Sequence, residues 1–238
     1  MILTGHQPNY LPYLGFFHKI YHCDLFVIVD NVQYVKRGPF GWVNRNKIRT
    51  ADGWQWLTVP VLVKGKFHQK IMETQINATL PWARKHWRSL VTNYGKAPHF
   101  SQYADLFDET YNRKKWDNFS ELSSHLILCL MKALGIEKPV KFASEIGAEG
   151  KGDELILDMC AKTGADAYLH GKHGQDYIDE QKFKDRNIRC VYQQFEHPIY
   201  QQQFEPFTPY MSATDLLFNY GNESLDILLG KKKVVKEI

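Results

Sequence analysis

The sequence predicts an α/β protein: an open parallel sheet of about five strands with an inserted β-hairpin and a helical segment. Three observations lead there. The chain opens with MILTGHQPNYLPYLGFFHKIYHCDLFVIVDN, residues 1–31, which reads as strand, turn, helix, strand. Short apolar runs alternating with helical periodicity return over residues 140–193. Between them lies a stretch with the alternation and turn residues of a hairpin, followed by helices.

The elements follow in order. Ile2 and Leu3 begin a short strand that stops at Gly5. The segment from His6 to Pro12, with Pro8, Asn9 and Pro12, continues neither strand nor helix and is a loop. Pro12 suits the first helical position, and Tyr13, Phe16, Phe17 and Ile20 recur at i, i+3, i+4 and i+7 as one buried stripe. Leu25 to Val29 is a continuous apolar run closed by Asp30, the pattern of a strand covered on both faces, so the unit is βαβ with a parallel pair. Residues 41–50, GWVNRNKIRT, and 54–61, WQWLTVPV, flank an Ala-Asp-Gly turn and read as a hairpin. Residues 80–98 read as a helix with Trp87, Leu90, Val91 and Tyr94 on its apolar face, ended by Gly95 and Pro98. Two more helices are predicted over 101–114 and 116–134. The α/β alternation then gives strands at 140–144, 167–169 and 188–193, with helices at 153–162 and 177–185. Ser212 is a good N-cap for a helix through Leu216 and Leu217, with Asp215 in its first turn and Gly221 at its end. The expected organisation is one α/β domain over 1–230, with residues 31–135 inserted, and a flexible basic tail over 231–238.

Composition bounds the function. With 238 residues, 44% hydrophobic and 24% charged, the chain can bury a substantial core. The start carries no secretory pattern, and no run approaches the roughly eighteen apolar residues of a membrane span, so a cytoplasmic location is expected. Cys23, Cys129, Cys160 and Cys190 are scattered, without zinc or disulfide spacing, and read as reduced, mostly buried thiols. The net charge of +4 is uneven: residues 30–96 hold twelve Lys or Arg against three Asp or Glu. That third of the chain raises the local potential for an anion, or is a solvated basic face.

The loop after the first strand falls at the carboxyl edge of the sheet, where open α/β sheets bind ligands. His6, Gln7, Asn9 and Asp30 would project there, and Gly15 removes a side chain near a helix start that favours anions. The plain alternative is that His6 and Asn9 only brace a tight turn. In the hairpin, Arg45, Asn46 and Lys47 stand beside Trp42, Trp54 and Trp56, a guanidinium and flat rings suited to a phosphate and a planar group. Lys85, His86 and Lys96 add possible anion contacts. After the strand at 167–169 comes HGKHGQDY, a glycine-punctuated turn at the same edge. Gly171, with His170, Lys172, His173 and Gln175, forms the second half of the expected site, where imidazole and ammonium groups meet phosphate or move protons. Two histidines at this spacing lack a third metal ligand in view, and no metal site is assigned. The His6 and His170 turns are therefore expected to converge on one cleft for an anionic small molecule.

GHQPNYLPYLGFFHKI, DLFVIVDNVQY, WVNRNKI and SATDLLFNYG together resemble the WbqC-like protein family of bacteria, over nearly the whole chain. Members of that family are commonly associated with surface-polysaccharide gene clusters, including lipopolysaccharide O-antigen synthesis. The resemblance implies a cytoplasmic enzyme acting on activated sugars or their acyl or aminoacyl donors. It marks His6, Pro8, Pro12, Gly15, Asp30, Gln33, Arg45, Asn46, Lys85, His86, Gly171, Ser212, Asp215 and Asn219. The family pattern after Leu169 is closer to Ser-Gly-x-Ser-Gly, so His170 and His173 depart from it. The opening also resembles nucleotidyltransferases with a strand, HxGH loop, helix and strand, implying a nucleotidyltransferase/HUP-like sheet. Here the tetrad is Tyr13-Leu14-Gly15-Phe16, without either histidine.

Three function classes follow. The first is a group transferase with His6 or Asp30 as general base, and Arg45, Lys85 and Lys172 neutralising a donor's phosphates. Its partner is a nucleotide sugar or an activated acyl donor, with a carrier protein also compatible. The second is a nucleotidyltransferase, which needs a triphosphate and Mg²⁺. The third is a non-catalytic RNA- or carrier-binding protein using residues 30–96, although nucleic acid is the less favoured partner.

Overall fold

In the computed structural model, residues 1–36, 43–176 and 178–232 are described. The chain runs through β1 (Ile2–His6), α1 (Leu14–Tyr21), β2 (Leu25–Ile28), β3 (Arg45–Thr50), β4 (Gly53–Thr58), α2 (Trp82–Tyr94), α3 (Phe100–Asp108) and α4 (Phe119–Ala133). It continues through β5 (Val140–Phe142), α5 (Asp153–Thr163), β6 (Ala167–His170), α6 (Glu180–Asp185), β7 (Arg189–Tyr192), α7 (Ala213–Tyr220) and α8 (Ser224–Leu228).

Five strands form one parallel sheet in the order β5-β2-β1-β6-β7. Numbered among themselves by chain order they run 3-2-1-4-5, the doubly wound arrangement. The chain leaves β1 through α1 to reach β2 on one side, and later returns through α5 to β6 on the other. The direction of winding therefore reverses between β1 and β6. Side chains alternate along β2: Phe26 and Ile28 join the core that holds Phe16, Phe17 and Ile20 of α1, while Leu25 and Val27 join Leu155, Met159 and Cys160 of α5. This double coverage is why the run from Leu25 is apolar without interruption.

The hairpin forms as expected. Thr50 pairs with Gly53 across Ala51-Asp52, Ile48 and Leu57 point inward, and Trp54 and Trp56 face outward. Trp42 lies outside the described residues. In α2 the buried face is Trp82, His86, Leu90 and Tyr94, while Val91 is exposed. The apolar stripe is thus turned from the predicted one: the Tyr10 hydroxyl gives His86 a polar partner, and the rings of Trp82 and Tyr111 pack edge-on against it, so it occupies an interior position. The helix predicted over 101–114 is α3 followed by a wider turn at Glu109–Arg113.

Pro12 does not begin α1. Leu11 has φ 44°, the helix starts at Leu14, and the Pro12 carbonyl accepts from the Ala213 backbone N–H at 2.8 Å, joining this loop to α7. The helix predicted from 177 starts at Glu180 behind an Asp179 cap; Tyr177 lies outside the described residues. Of the expected flexible tail, Lys231 and Lys232 are held by the Asp226 carbonyl, and residues 233–238 lie outside the described residues. Among the described residues, no helix is long and apolar enough to cross a membrane.

Candidate functional site

Outside the carboxyl ends of β1 and β6 lies a cavity of about 470 Å³. Gly5, His6, Gln7 and Asn9 line it from the first turn, and His170 and Gly171 from the second. Its apolar wall is Val29, Val32, Val43, Leu155, Ile156, Met159 and Ile178. Gly5 makes the close approach possible: a Cβ there would stand 3.0 Å from Val29 Cγ2, 3.2 Å from the Tyr168 hydroxyl and 3.3 Å from Met159 Cε.

Lys19 of α1 also lines the cavity, 7% exposed, and its Nζ donates to the Gly5 carbonyl at 3.1 Å. Loss of hydration lowers its pKa to about 8. Among the described residues no carboxylate lines the cavity beside it. The two histidines near it are neutral at pH 7. Burial first, and then the Lys19 charge, bring His6 down to about 3 and His170 to about 4. His6 Nδ1 lies 3.0 Å from the Gln7 carbonyl, and its ring meets Phe16 edge-on. His170 is 3% exposed, packed among Tyr168, Phe183 and Tyr192. Its Nε2 and the Asn9 Oδ1 are buried without a hydrogen-bond partner. A buried polar atom left unpaired costs free energy that a ligand group can restore. The cavity therefore offers one cation, two neutral imidazoles and an amide oxygen against an apolar wall.

The structure gathers His6, Gln7, Asn9, His170 and Gly171 of the expected residues, and the others go elsewhere. Asp30 does not line the cavity: its carboxylate accepts from the Ser144 backbone N–H at 3.0 Å and hydroxyl at 2.6 Å, bracing the turn after β5. Gly15 leaves room for Tyr13, whose ring would lie 2.5 Å from a Cβ, and its carbonyl accepts from Gln193. Gln33 donates to the Phe67 carbonyl at 2.8 Å. The Arg45 guanidinium lies 4.2 Å over the Trp56 ring. Asn46 donates to the Leu11 carbonyl at 2.5 Å, tying the hairpin to the first loop. Lys85 is exposed on α2, and His86 bonds to the Tyr10 hydroxyl at 2.8 Å in the interior. Lys172 and His173 are exposed on the second turn, with His173 Nδ1 3.4 Å from an Asp176 oxygen. Ser212 caps α7. From the basic segment 30–96, the described residues contribute only Val32 and Val43 to the cavity.

Asp215 belongs to a buried brace. Its carboxylate accepts from the Tyr94 and Tyr200 hydroxyls and from Gln202 Nε2, each at 2.8 Å, and burial raises its pKa against those bonds. Nearby Arg49, 1% exposed, donates to the carbonyls of Thr50, Gly53, Phe204 and Pro206. Asp215→Ala leaves three donors facing an apolar void, and chemical denaturation is expected to show a loss of about 3–5 kcal/mol.

Two residues were not singled out by sequence reasoning. In the sequence Arg49 is one cation among several in the hairpin, with nothing in its neighbours to mark it as buried. Lys19 stood in GFFHKIY, three residues after Phe16, and that position within a helical apolar stripe was the available signal.

The chain is 40% identical over 224 residues to a protein of Mycobacterium tuberculosis (strain ATCC 25618 / H37Rv) described as "Uncharacterized protein Rv1507c", covering 93% of this chain and 95% of that one. No solved structure matches it. The model of the WbqC-like protein family matches residues 7–227, and the chain belongs to that family.

Proposed function

We infer that the cavity between the His6 and His170 turns binds an anionic small molecule, and that the protein is a cytoplasmic group-transfer enzyme. Its donor is a nucleotide-activated sugar or an acyl or aminoacyl compound used in bacterial surface-polysaccharide synthesis, such as lipopolysaccharide O-antigen. The observation that carries this reading is Lys19: a buried ammonium with no carboxylate lining the same cavity among the described residues. A buried charge without a counter-charge is costly, and an anionic ligand supplies one. Asn9 Oδ1, an acceptor without a partner, fits a hydroxyl or amine of the same ligand.

His6 is the group placed to take a proton from an acceptor hydroxyl or amine. In the empty site it is a weak base, because burial and Lys19 both oppose its protonation. A bound anion offsets the Lys19 charge and raises its basicity, so proton transfer is coupled to donor binding. Lys85 and Lys172, on the surface, have no part in this scheme.

A second reading is nucleotidyl transfer, favoured by the 3-2-1-4-5 strand order with a cavity at its reversal point. Metal-dependent release of pyrophosphate from a nucleoside triphosphate would select it.

A thermal-shift screen against nucleotide sugars, free nucleotides and acyl donors tests the main reading. A ligand at a hundred times its dissociation constant is expected to stabilise by about 2.7 kcal/mol. No response from any anionic donor would overturn it.

A further inference from the structure

A second surface lies beside the cavity and is absent from the scheme above. The loop KGKFHQK, residues 64–70, carries Phe67 at 76% exposure with Lys64, Lys66, His68 and Lys70 around it. Gly65, at φ 73°, turns the chain there. Phe67 shares a groove with Val35, Val63, Lys36 and Lys66. From residue 60 to 72 there is no Asp or Glu. Glu73 accepts from the Lys70 backbone N–H, and Glu149 lies in the adjoining groove with His68 and Lys70. The loop's shape is held from beneath: Gln33 donates to the Phe67 carbonyl at 2.8 Å, and the Tyr34 backbone N–H donates to the Gln69 carbonyl at 2.9 Å. The phenyl ring is thus presented outward by fixed backbone.

This patch adjoins the mouth of the cavity. Val32 lines both the cavity and the groove holding His68 and Lys70, and Gln33 lines that groove and the one beneath Phe67.

We propose that this loop docks the protein on an anionic lipid bilayer, with Phe67 in the interfacial region, Lys64, Lys66 and Lys70 on the headgroups, and the cavity mouth beside the membrane. An exposed aromatic ring set among cations, with aliphatic Val35 and Val63 behind it, combines the two forces that hold peripheral proteins on membranes. Val35 and Val63 beside the ring favour an acyl environment, and a single-stranded nucleic acid stacking on Phe67 is the alternative that the test separates. The cavity's ligand can then be one held at a membrane surface. The docking stands on the loop alone, independent of what the cavity binds.

The test is sedimentation of the full chain with phosphatidylglycerol/phosphatidylcholine vesicles, with phosphatidylcholine vesicles as control. Binding is expected only to the anionic vesicles, weakening with salt. Removal of one lysine is expected to lower the partition coefficient about fivefold. Phe67→Asp is expected to abolish sedimentation, and Lys64→Glu/Lys66→Glu/Lys70→Glu to do the same, with unchanged circular dichroism and melting temperature because these side chains are exposed. No binding to anionic vesicles at low salt overturns the proposal. So does binding indifferent to Phe67→Asp, or displacement of the protein from vesicles by a single-stranded RNA oligonucleotide that binds it more tightly.

Discussion

Acidification from pH 6.5 is expected to unfold the protein in a cooperative transition above pH 4, followed by tryptophan fluorescence and far-ultraviolet circular dichroism. The cause is a set of buried imidazoles, of which His6, His86 and His170 are the most enclosed. His6 has its pKa lowered to about 3, and His86 and His170 to about 4, each chiefly by burial. In the unfolded chain the same groups titrate near 6.5. Between those values the unfolded state binds three more protons at these groups than the native state, so stability falls as pH falls. Each of these three contributes about 1.4 kcal/mol per pH unit, roughly 4 kcal/mol per pH unit from them alone, against a total stability of about 5–15 kcal/mol. Half-buried His18, lowered to about 4, and His125 and His197, also lowered by burial, add in the same direction. Asp215 acts in the opposite direction, since its raised pKa lets the native state take a proton earlier, but it is a single group against several imidazoles. His170→Phe isolates the effect. Its ring sits among Tyr168, Phe183 and Tyr192 with an unpartnered Nε2, so a phenyl ring fits the same space. The slope is expected to drop by about 1.4 kcal/mol per pH unit and the midpoint to move to lower pH. A stability that stays flat from pH 6.5 to 4.5 would refute this account.

What the amino-acid order reveals here is local. The β1-turn-α1-β2 unit is visible because strand and helix periodicities are short-range, and the Gly164 and Ser212 helix boundaries are visible because caps need particular residues. The meeting of the His6 and His170 turns is also legible, since parallel strands separated by helices bring their carboxyl ends to one edge. The fate of a polar side chain at that edge is not. Asp30 and His6 look equivalent as chemistry, yet Asp30 is consumed by Ser144, which lies 114 residues away in the chain. Asp215 likewise meets Tyr94 at a separation of 121 residues. Such pairings depend on tertiary packing, and short polar motifs carry no trace of them. The net charge of residues 30–96 misleads for a related reason: charge density along the chain says nothing of which face a cation joins. Its lysines and arginines lie outside the cavity among the described residues, while a single lysine on α1 enters it.

Lys19→Met is expected to make the protein more stable and to weaken its affinity for an anionic ligand. At pH 7 the native state holds this ammonium with little water around it, which is why its pKa falls from 10.5 to about 8. That displacement corresponds to about 3 kcal/mol of destabilisation below pH 8. Losing the bond to the Gly5 carbonyl returns about 1 kcal/mol of it, leaving a net gain of roughly 2 kcal/mol for the unbranched, apolar methionine. The sign can be checked against pH. From pH 8 to 10.5 the native wild-type protein binds fewer protons at this site than the unfolded chain, so its stability rises with pH, whereas the variant lacks that rise; the gap closes and the wild type ends about 1 kcal/mol ahead, the worth of its bond to the Gly5 carbonyl. Binding moves the other way. A ligand that neutralises the ammonium loses about 2–5 kcal/mol in the variant, an affinity reduction of roughly 30-fold or more. A purely structural lysine would lower stability when replaced and leave the ligand response intact. A ligand-binding lysine raises stability when replaced and weakens the response, because the unmet charge that destabilises the protein is the one that attracts the ligand.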